Sequence, residues 1–456
     1  MRSLTTIILI ILVSFITCNV SAQDVYSLQN CINYALEHNN NIRKSKLDLQ
    51  KSMEARREIA GSLLPHLSAS GSMNYNIRKP KFVMPNFIND MLPPAAQDPD
   101  AVKYLTIEMG TSYTAGLGAA LNQQILNFAL FNTFEIARTA ENMASLGVEQ
   151  QEEEIIAQTA GLYYSLQSSI YAAEQFGQSL DLIDKMLITM EANYLNGLVK
   201  KVDLDRLKVN RVNLATRHSA IINAIDIQKK LLKLQMGMDT DQHMEIEPVN
   251  LLMFEQKAEL EIPGNFDQRR LIPFQLIQQQ QKIGQLQVRS VKSELLPSLV
   301  LGVNYQYNLL TDDLFNSESQ YTYPSSVVGL NLRLPIFAGM SQNARLKSAR
   351  IELMKLKEDE KLLEQSLNMA YMNALLQLDD SRRTIDAQRQ NMKLAGEVFR
   401  ITQENYMQGL DSLSDVLNAN SSLIQSQISY AEALNSYMRG YIELRKANGT
   451  IRELVK

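Results

Sequence analysis

The side chains best placed to do chemistry in this sequence form a small set that occurs twice. Residues 193–208 read NYLNGLVKKVDLDRLK and residues 405–420 read NYMQGLDSLSDVLNAN. Tyr194, Gly197, Leu198 and Asp203 recur as Tyr406, Gly409, Leu410 and Asp415, each shifted by 212 positions. Hydroxyls and carboxylates beside a glycine break suit hydrogen bonding and electrostatic selection rather than bond making. Carboxylates brought close together concentrate negative potential, favour cations and raise one another's pKa. The same aspartates, near the starts of returning helices, can instead cap them by accepting backbone N–H bonds and opposing the helix dipole. The two roles are compatible. Gly197 and Gly409 fit helix ends, because a left-handed C′ residue is usually glycine.

Other chemistries find little to work with. The four histidines, His38, His66, His218 and His243, are far apart in sequence, and there are two cysteines. No nucleophile–base pair and no ligand cluster emerges, so no catalytic, cofactor-binding or metal-binding residue is expected and the chain reads as a non-enzyme. His66 follows Pro65 at a helix-to-strand junction, where a structural role fits. A net charge of −4 argues against nucleic acid as a partner, which needs a basic face.

The elements that must position these residues are also duplicated. SLLPHLSASGSMNYN (62–76) matches ELLPSLVLGVNYQYN (294–308) at an offset of 232. Residues 116–126 match the approach to 337 at 211, and the difference of 21 is one longer loop, 77–112 against 309–323. Each half thus runs helix, strand, loop, strand, very long helix, break, helix. The expected strands are 66–76, 113–126, 298–308 and 325–337. They alternate strictly: Leu301, Val303, Tyr305 and Tyr307 have Gly302, Asn304, Gln306 and Asn308 between them. Period two gives one apolar and one polar face. A small sheet packed on a helix would show this too. Here the polar face carries Ser, Asn, Gln and Gly with little charge, and the strands are about ten residues long, as a tilted membrane strand requires. Tyr75, Tyr113, Tyr305 and Tyr307 would supply an aromatic girdle, although tryptophan is absent. Four strands cannot close a barrel, and open edges are not tolerated in lipid. If this sheet lies in a membrane, several chains must therefore share one barrel, and three would supply twelve strands.

The helices are long. From about residue 129 to 196 there is no proline, and Leu353, Leu356, Leu363, Leu367, Ala370 and Ala374 mark a coiled-coil seam. Residues 1–22 have Arg2, an apolar run and Val20-Ser21-Ala22, the plan of a secretory signal peptide cleaved after Ala22. Cys18 raises a lipoprotein alternative, against which Phe15-Ile16-Thr17 is a poor lipobox. The division expected is a first repeat over 23–238, a joining segment over 239–270, a second repeat over 271–448 and a tail over 449–456.

These features together resemble the TolC-like outer membrane efflux proteins. The marks are the two LLPxL strand entries (63–67 and 295–299), the strand exit LRLPIFAG (332–339) and the two YxxGL turns followed by aspartate. The resemblance implies a mostly α chain with a four-stranded antiparallel β contribution. Three copies would form a 12-stranded outer membrane β-barrel continuous with a periplasmic α-helical coiled-coil barrel. It implies a homotrimer in outer membrane lipid, working with a periplasmic adaptor protein and an inner-membrane transporter, proton-driven or ATP-driven. The role implied is an exit duct for small molecules. A duct for type I protein secretion is the alternative, and an exported coiled-coil structural protein is the reading from another class. By the same resemblance the periplasmic entrance lies at the helix breaks. Asp415 matches an acidic ring residue, Asp203 its acidic partner, and Tyr406 a gate tyrosine that hydrogen-bonds across helices. The chain departs from the pattern where Asp411 holds the place of a gate arginine and Asn418 that of a second acidic ring residue. Lys200 or Lys201 is the cation proposed to compensate.

Overall fold

In the computed structural model, residues 25–91, 93, 96, 102–248 and 266–455 are described. The signal-peptide reading and Cys18 lie outside them. The chain divides into two compact units. One takes residues 51–141 and 281–355, and the other takes the remainder.

The first unit is organised by an antiparallel sheet of β2 (His66–Tyr75), β5 (Tyr113–Leu126), β7 (Ser298–Thr311) and β8 (Tyr321–Arg333), in the order β2-β5-β7-β8. The central pair, β5 and β7, joins the two halves of the duplication. Register keeps the apolar sets together. Leu67 lies opposite Leu121, which lies opposite Val303, which lies opposite Val328. Since directly opposed residues share a face, this apolar row continues across all four strands. So does the polar row of Ser68, Ala120, Asn304 and Val327, in which two small or apolar residues interrupt the pattern. Neither face is covered. Leu67 is 74% exposed, Leu117 69% and Leu330 67%.

Several strand details differ from the sequence reading. β8 spans Tyr321–Arg333 rather than 325–337, because its partner β7 begins at Ser298, opposite Arg333. Past that point residues 334–337 have no strand to bond to, and Pro335 has no N–H to offer. β7 continues to Thr311, beyond 308. Tyr75 and Tyr113 do pair at the loop end, with ring centroids 4.8 Å apart. Tyr305 lies opposite Ala119 in mid-strand, so it is not part of a rim. The loop 77–112 contains a hairpin of its own, β3 (Lys81–Pro85) with β4 (Tyr104–Glu108). Its base is fastened by Asp312, which accepts from Ser112 N at 2.7 Å and its hydroxyl at 2.8 Å and pairs with Lys79 at 2.7 Å. Those three donors hold the Asp312 carboxyl down at about 2.

The second unit is helical apart from one short parallel pair, β1 (Val25–Tyr26) with β6 (Glu245–Ile246). It contains α1 (Leu28–His38) and most of α3 (Phe128–Leu195), together with α4 (Lys201–Met236), much of α6 (Ser341–Met407) and α7 (Leu413–Ala447). Two further helices, α2 (Asn40–Gly61) and α5 (Ile272–Ser293), pass between the units in sequence. At 68 residues α3 is roughly 100 Å long. The core packs Cys31 and Ile32 of α1, Ile155, Tyr163 and Leu166 of α3, Leu232 and Met236 of α4, and Leu434, Met438 and Ile442 of α7. Burial pushes the Cys31 thiol up to about 12, so it serves packing rather than chemistry. The seam on α6 runs through Leu353, Leu356, Leu363 and Leu367 and then uses Tyr371 before Ala374, while Ala370 is exposed. That four-residue step is a stutter, which locally unwinds a left-handed supercoil. Tyr371 is taken inward by stacking on Phe266, centroids 4.4 Å apart. The last turn, Ile451–Val455, is docked, with Ile451 buried and Arg452 paired to Glu152 at 3.1 Å. Among the described residues no helix is long and apolar enough to cross a membrane.

Glycines close both repeats in the same way. α4 ends at Gly237 (φ 74°) and α7 ends near Gly449 (φ 72°), again 212 positions apart. In each, the N–H of the next residue bonds the carbonyl five positions back: Met238 to Lys233 at 2.9 Å, Thr450 to Arg445 at 2.8 Å. Each glycine abuts the entry of its own repeat. A Cβ at Gly237 would stand 2.4 Å from His38 O, and one at Gly449 would stand 2.9 Å from Leu271 Cδ2.

Candidate functional site: the two hairpin turns

The breaks between α3 and α4 and between α6 and α7 are built alike. Gly197 and Gly409 are left-handed, φ 74° and 76°. Leu198 N bonds Asn193 O and Leu410 N bonds Asn405 O, both at 2.9 Å, while each glycine N bonds the tyrosine carbonyl three residues back at 3.0 Å. These are Schellman ends. They explain why the glycine recurs at the same place in both copies, since only it adopts the left-handed conformation without strain.

The returning helices start differently. α7 has a capping box: Asp415 N bonds Ser412 Oγ at 3.3 Å, and Asp415 Oδ2 accepts from Ser412 N at 3.0 Å and Ser412 Oγ at 2.6 Å. Those bonds hold the Asp415 carboxyl below its ordinary range. So the capping role is met in the fold, and the carboxylate is ionised and exposed. α4 has Lys200 at its N-cap with no side-chain bond, and Asp203 sits in the first turn without a reciprocal partner.

Asp203 pairs instead with Arg206 at 3.6 Å, and Arg206 Nη1 donates to Ser414 Oγ at 3.2 Å. One guanidinium thereby bridges the two turns. This corrects the sequence reading: the cation on Asp203 is neither Lys200 nor Lys201. A signal was available. Between Arg400 and Arg439 the second repeat has no Lys or Arg, so a cation near its turn must come from the first, whose residues 200–217 carry six.

Tyr406 is half-buried, and its hydroxyl donates to Met190 Sδ at 3.3 Å on α3. Burial, then the charge of Asp203, pushes its pKa up. It seats on a local core of Phe176, Ile183, Leu187, Leu204, Leu207 and Leu413. Lys208–Glu191 at 2.8 Å and Arg211–Asp184 at 2.5 Å strap α4 to α3. Asp411 is partly exposed and has no hydrogen-bond or ion-pair partner among the described residues. Asn418 is exposed on α7, its carbonyl accepting from Ser422 at 2.9 Å. The turns therefore bring Asp203, Arg206, Tyr406 and Ser414 together, and leave Asp411, Asp415 and Asn418 facing outward. Among the described residues no group of three or more His, Cys, Asp or Glu is disposed to hold a metal ion.

An open-edged sheet with one apolar face, joined to long coiled helices, is the fold of outer membrane channels. The Campylobacter jejuni CmeC outer membrane channel matches with a TM-score of 0.72 at 16% identity, over 93% of this chain and 85% of that one. CusC matches at 0.72 and 15%, over 92% and 91%. The family model described as outer membrane efflux protein matches residues 274–450. Among curated sequences, the outer membrane protein TolC of Escherichia coli (strain K12) is 18% identical over 427 residues, 91% of this chain and 80% of its own length. Over residues 274–450 the chain is thus similar to the outer membrane efflux proteins, and the likeness to TolC extends along nearly all of it. What the chain shares with these solved channels is the fold, mostly helical with a four-stranded antiparallel sheet.

Proposed function

We propose that three copies of this chain close their sheets into one twelve-stranded barrel, and that the helical hairpins of the trimer form a periplasmic duct for small molecules. The observation that carries this reading is the sheet itself. It has a continuous apolar face and two unpaired edges, β2 and β8. In lipid every backbone N–H and C=O must be satisfied, so edge strands need partners from other copies. Exposed apolar rows at heptad spacing, Val202 and Val209 on α4 and Leu362, Met369 and Leu376 on α6, give the helices faces to cover as well. The repeats 23–238 and 271–448, with the joining segment 239–270, would each supply one hairpin to the duct. The entrance is placed at the turns, lined by Asp203, Tyr406, Asp411, Asp415 and Asn418, with Asp415 both capping α7 and facing the passage. A periplasmic adaptor and an inner-membrane transporter would complete the route. Membrane fractionation tests the reading: the chain should resist washing from outer membranes and migrate as a heat-modifiable trimer, and a soluble monomer would sink it.

A further inference from the structure

The four strands of the sheet contain no Asp, Glu or Lys; apart from tyrosines, their only ionisable side chains are His66 and Arg333. Both belong to the polar face. Arg333 follows Asn331 and Gly329 along β8, alternating with the apolar Leu330 and Leu332. It is exposed at the last register position, opposite Ser298, and it has no ion-pair or hydrogen-bond partner among the described residues. The contrast with Arg345 is direct, since that guanidinium is matched by Glu294 at 3.1 Å. His66 stands at the same helix-proximal end of the sheet, on edge strand β2. An unpaired charge is costly on a face turned to lipid and cheap on one turned to water, and the apolar row already claims the lipid side.

We infer that Arg333 is a charge-selectivity residue of the channel, forming a cationic collar at the helix-side rim of the barrel lumen that favours anionic solutes. The inference rests on the barrel reading above. Three copies would place three permanently charged guanidinia around a lumen wall whose strands carry no carboxylate, and Glu294, which lines the same cleft as Arg333, is already paired with Arg345. Guanidinium does not deprotonate in proteins, so the collar is present at every physiological pH. Charge of one sign on low-dielectric walls raises the local concentration of its counter-ion. Screening limits its reach to about 10 Å at 0.1 M salt and about 30 Å at 0.01 M. A wide barrel therefore shows the effect best in dilute salt.

The test uses full-length protein in planar bilayers under a dilute KCl gradient, comparing the wild type with Arg333→Gln, Arg333→Glu and Arg333→Lys. The reversal potential should move toward cations with Gln, corresponding to a fall of roughly two-fold or more in the chloride-to-potassium permeability ratio. It should move further with Glu and return with Lys. An exposed side chain without partners can be exchanged without disturbing packing, and single-channel conductance reports whether each variant still forms the pore. Conducting variants whose reversal potentials all equal the wild-type value would overturn the collar while leaving the channel intact. A wild-type protein that never conducts would overturn the barrel reading and the collar with it.

Discussion

At the scale of single residues, glycines that look interchangeable in the sequence carry different burdens. Gly409 and Gly237 have nearly the same positive φ, 76° and 74°. A Cβ at Gly409 meets nothing within 4 Å, whereas one at Gly237 meets His38 O at 2.4 Å. Gly409→Ala should therefore cost only the left-handed backbone term, about 1 kcal/mol. Gly237→Ala adds overpacking against backbone that cannot move aside, about 3 kcal/mol or more in all. Paired unfolding midpoints check this, with Gly237→Ala clearly the lower. Asp415 also needs its two roles separated. Asp415→Asn retains a side-chain oxygen for the Ser412 cap and removes the charge. If the carboxylate lines the entrance, block of the channel by multivalent cations should weaken while stability is little changed. Block that persists unaltered would leave Asp415 a cap alone.

At the scale of elements, the sheet is a membrane element only if its two faces are inequivalent. Leu117 lies in the apolar row between Gly71 and Tyr307, and Ser70 lies in the polar row opposite Gly118. An arginine on a lipid-facing strand costs about 2–4 kcal/mol near the midplane. Leu117→Arg should cut the yield of heat-modifiable oligomer in outer membranes, and Ser70→Arg should leave it near wild type. Equal losses would mean that both faces are packed against protein. The helical elements show the same economy in another form. All four helix ends at Gly197, Gly237, Gly409 and Gly449 are Schellman ends, so the duplication extends to the caps. Only the turns at 197 and 409 are visible as repeats in sequence, because there the flanking Asn-Tyr and Leu also recur.

At the scale of the whole molecule, one chain is an incomplete object. Its sheet has two open edges, its apolar strand face is bare, and α4 and α6 present uncovered apolar rows. A chain stable alone in water would not leave that much apolar surface contiguous. On the trimer proposed above, other copies pair with the open edges, and the twelve strands of three chains are enough for a barrel with a water-filled interior. Native mass measurement of the detergent-extracted oligomer at three chains is the expected outcome of the fractionation experiment above. What passes through such a duct is set by its charges as well as its width, and Arg333 and Asp415 are of opposite sign.

The sequence by itself determined the strand faces, the long helices and the two turns, because period two, the heptad and the glycine end are properties of local backbone geometry. Those features carry the same likeness to outer membrane efflux proteins that the matches along the chain show. Only tertiary structure decided where β8 stops, since that depends on where β7 begins. It decided that Tyr371 and not Ala370 fills the seam, because Phe266 lies against it. It also found the bridge from Asp203 through Arg206 to Ser414, whose ends are more than two hundred residues apart. No periodicity encodes a contact between two turns. Their meeting is the product of how four long helices pack, and a guanidinium needs only to be within reach of both.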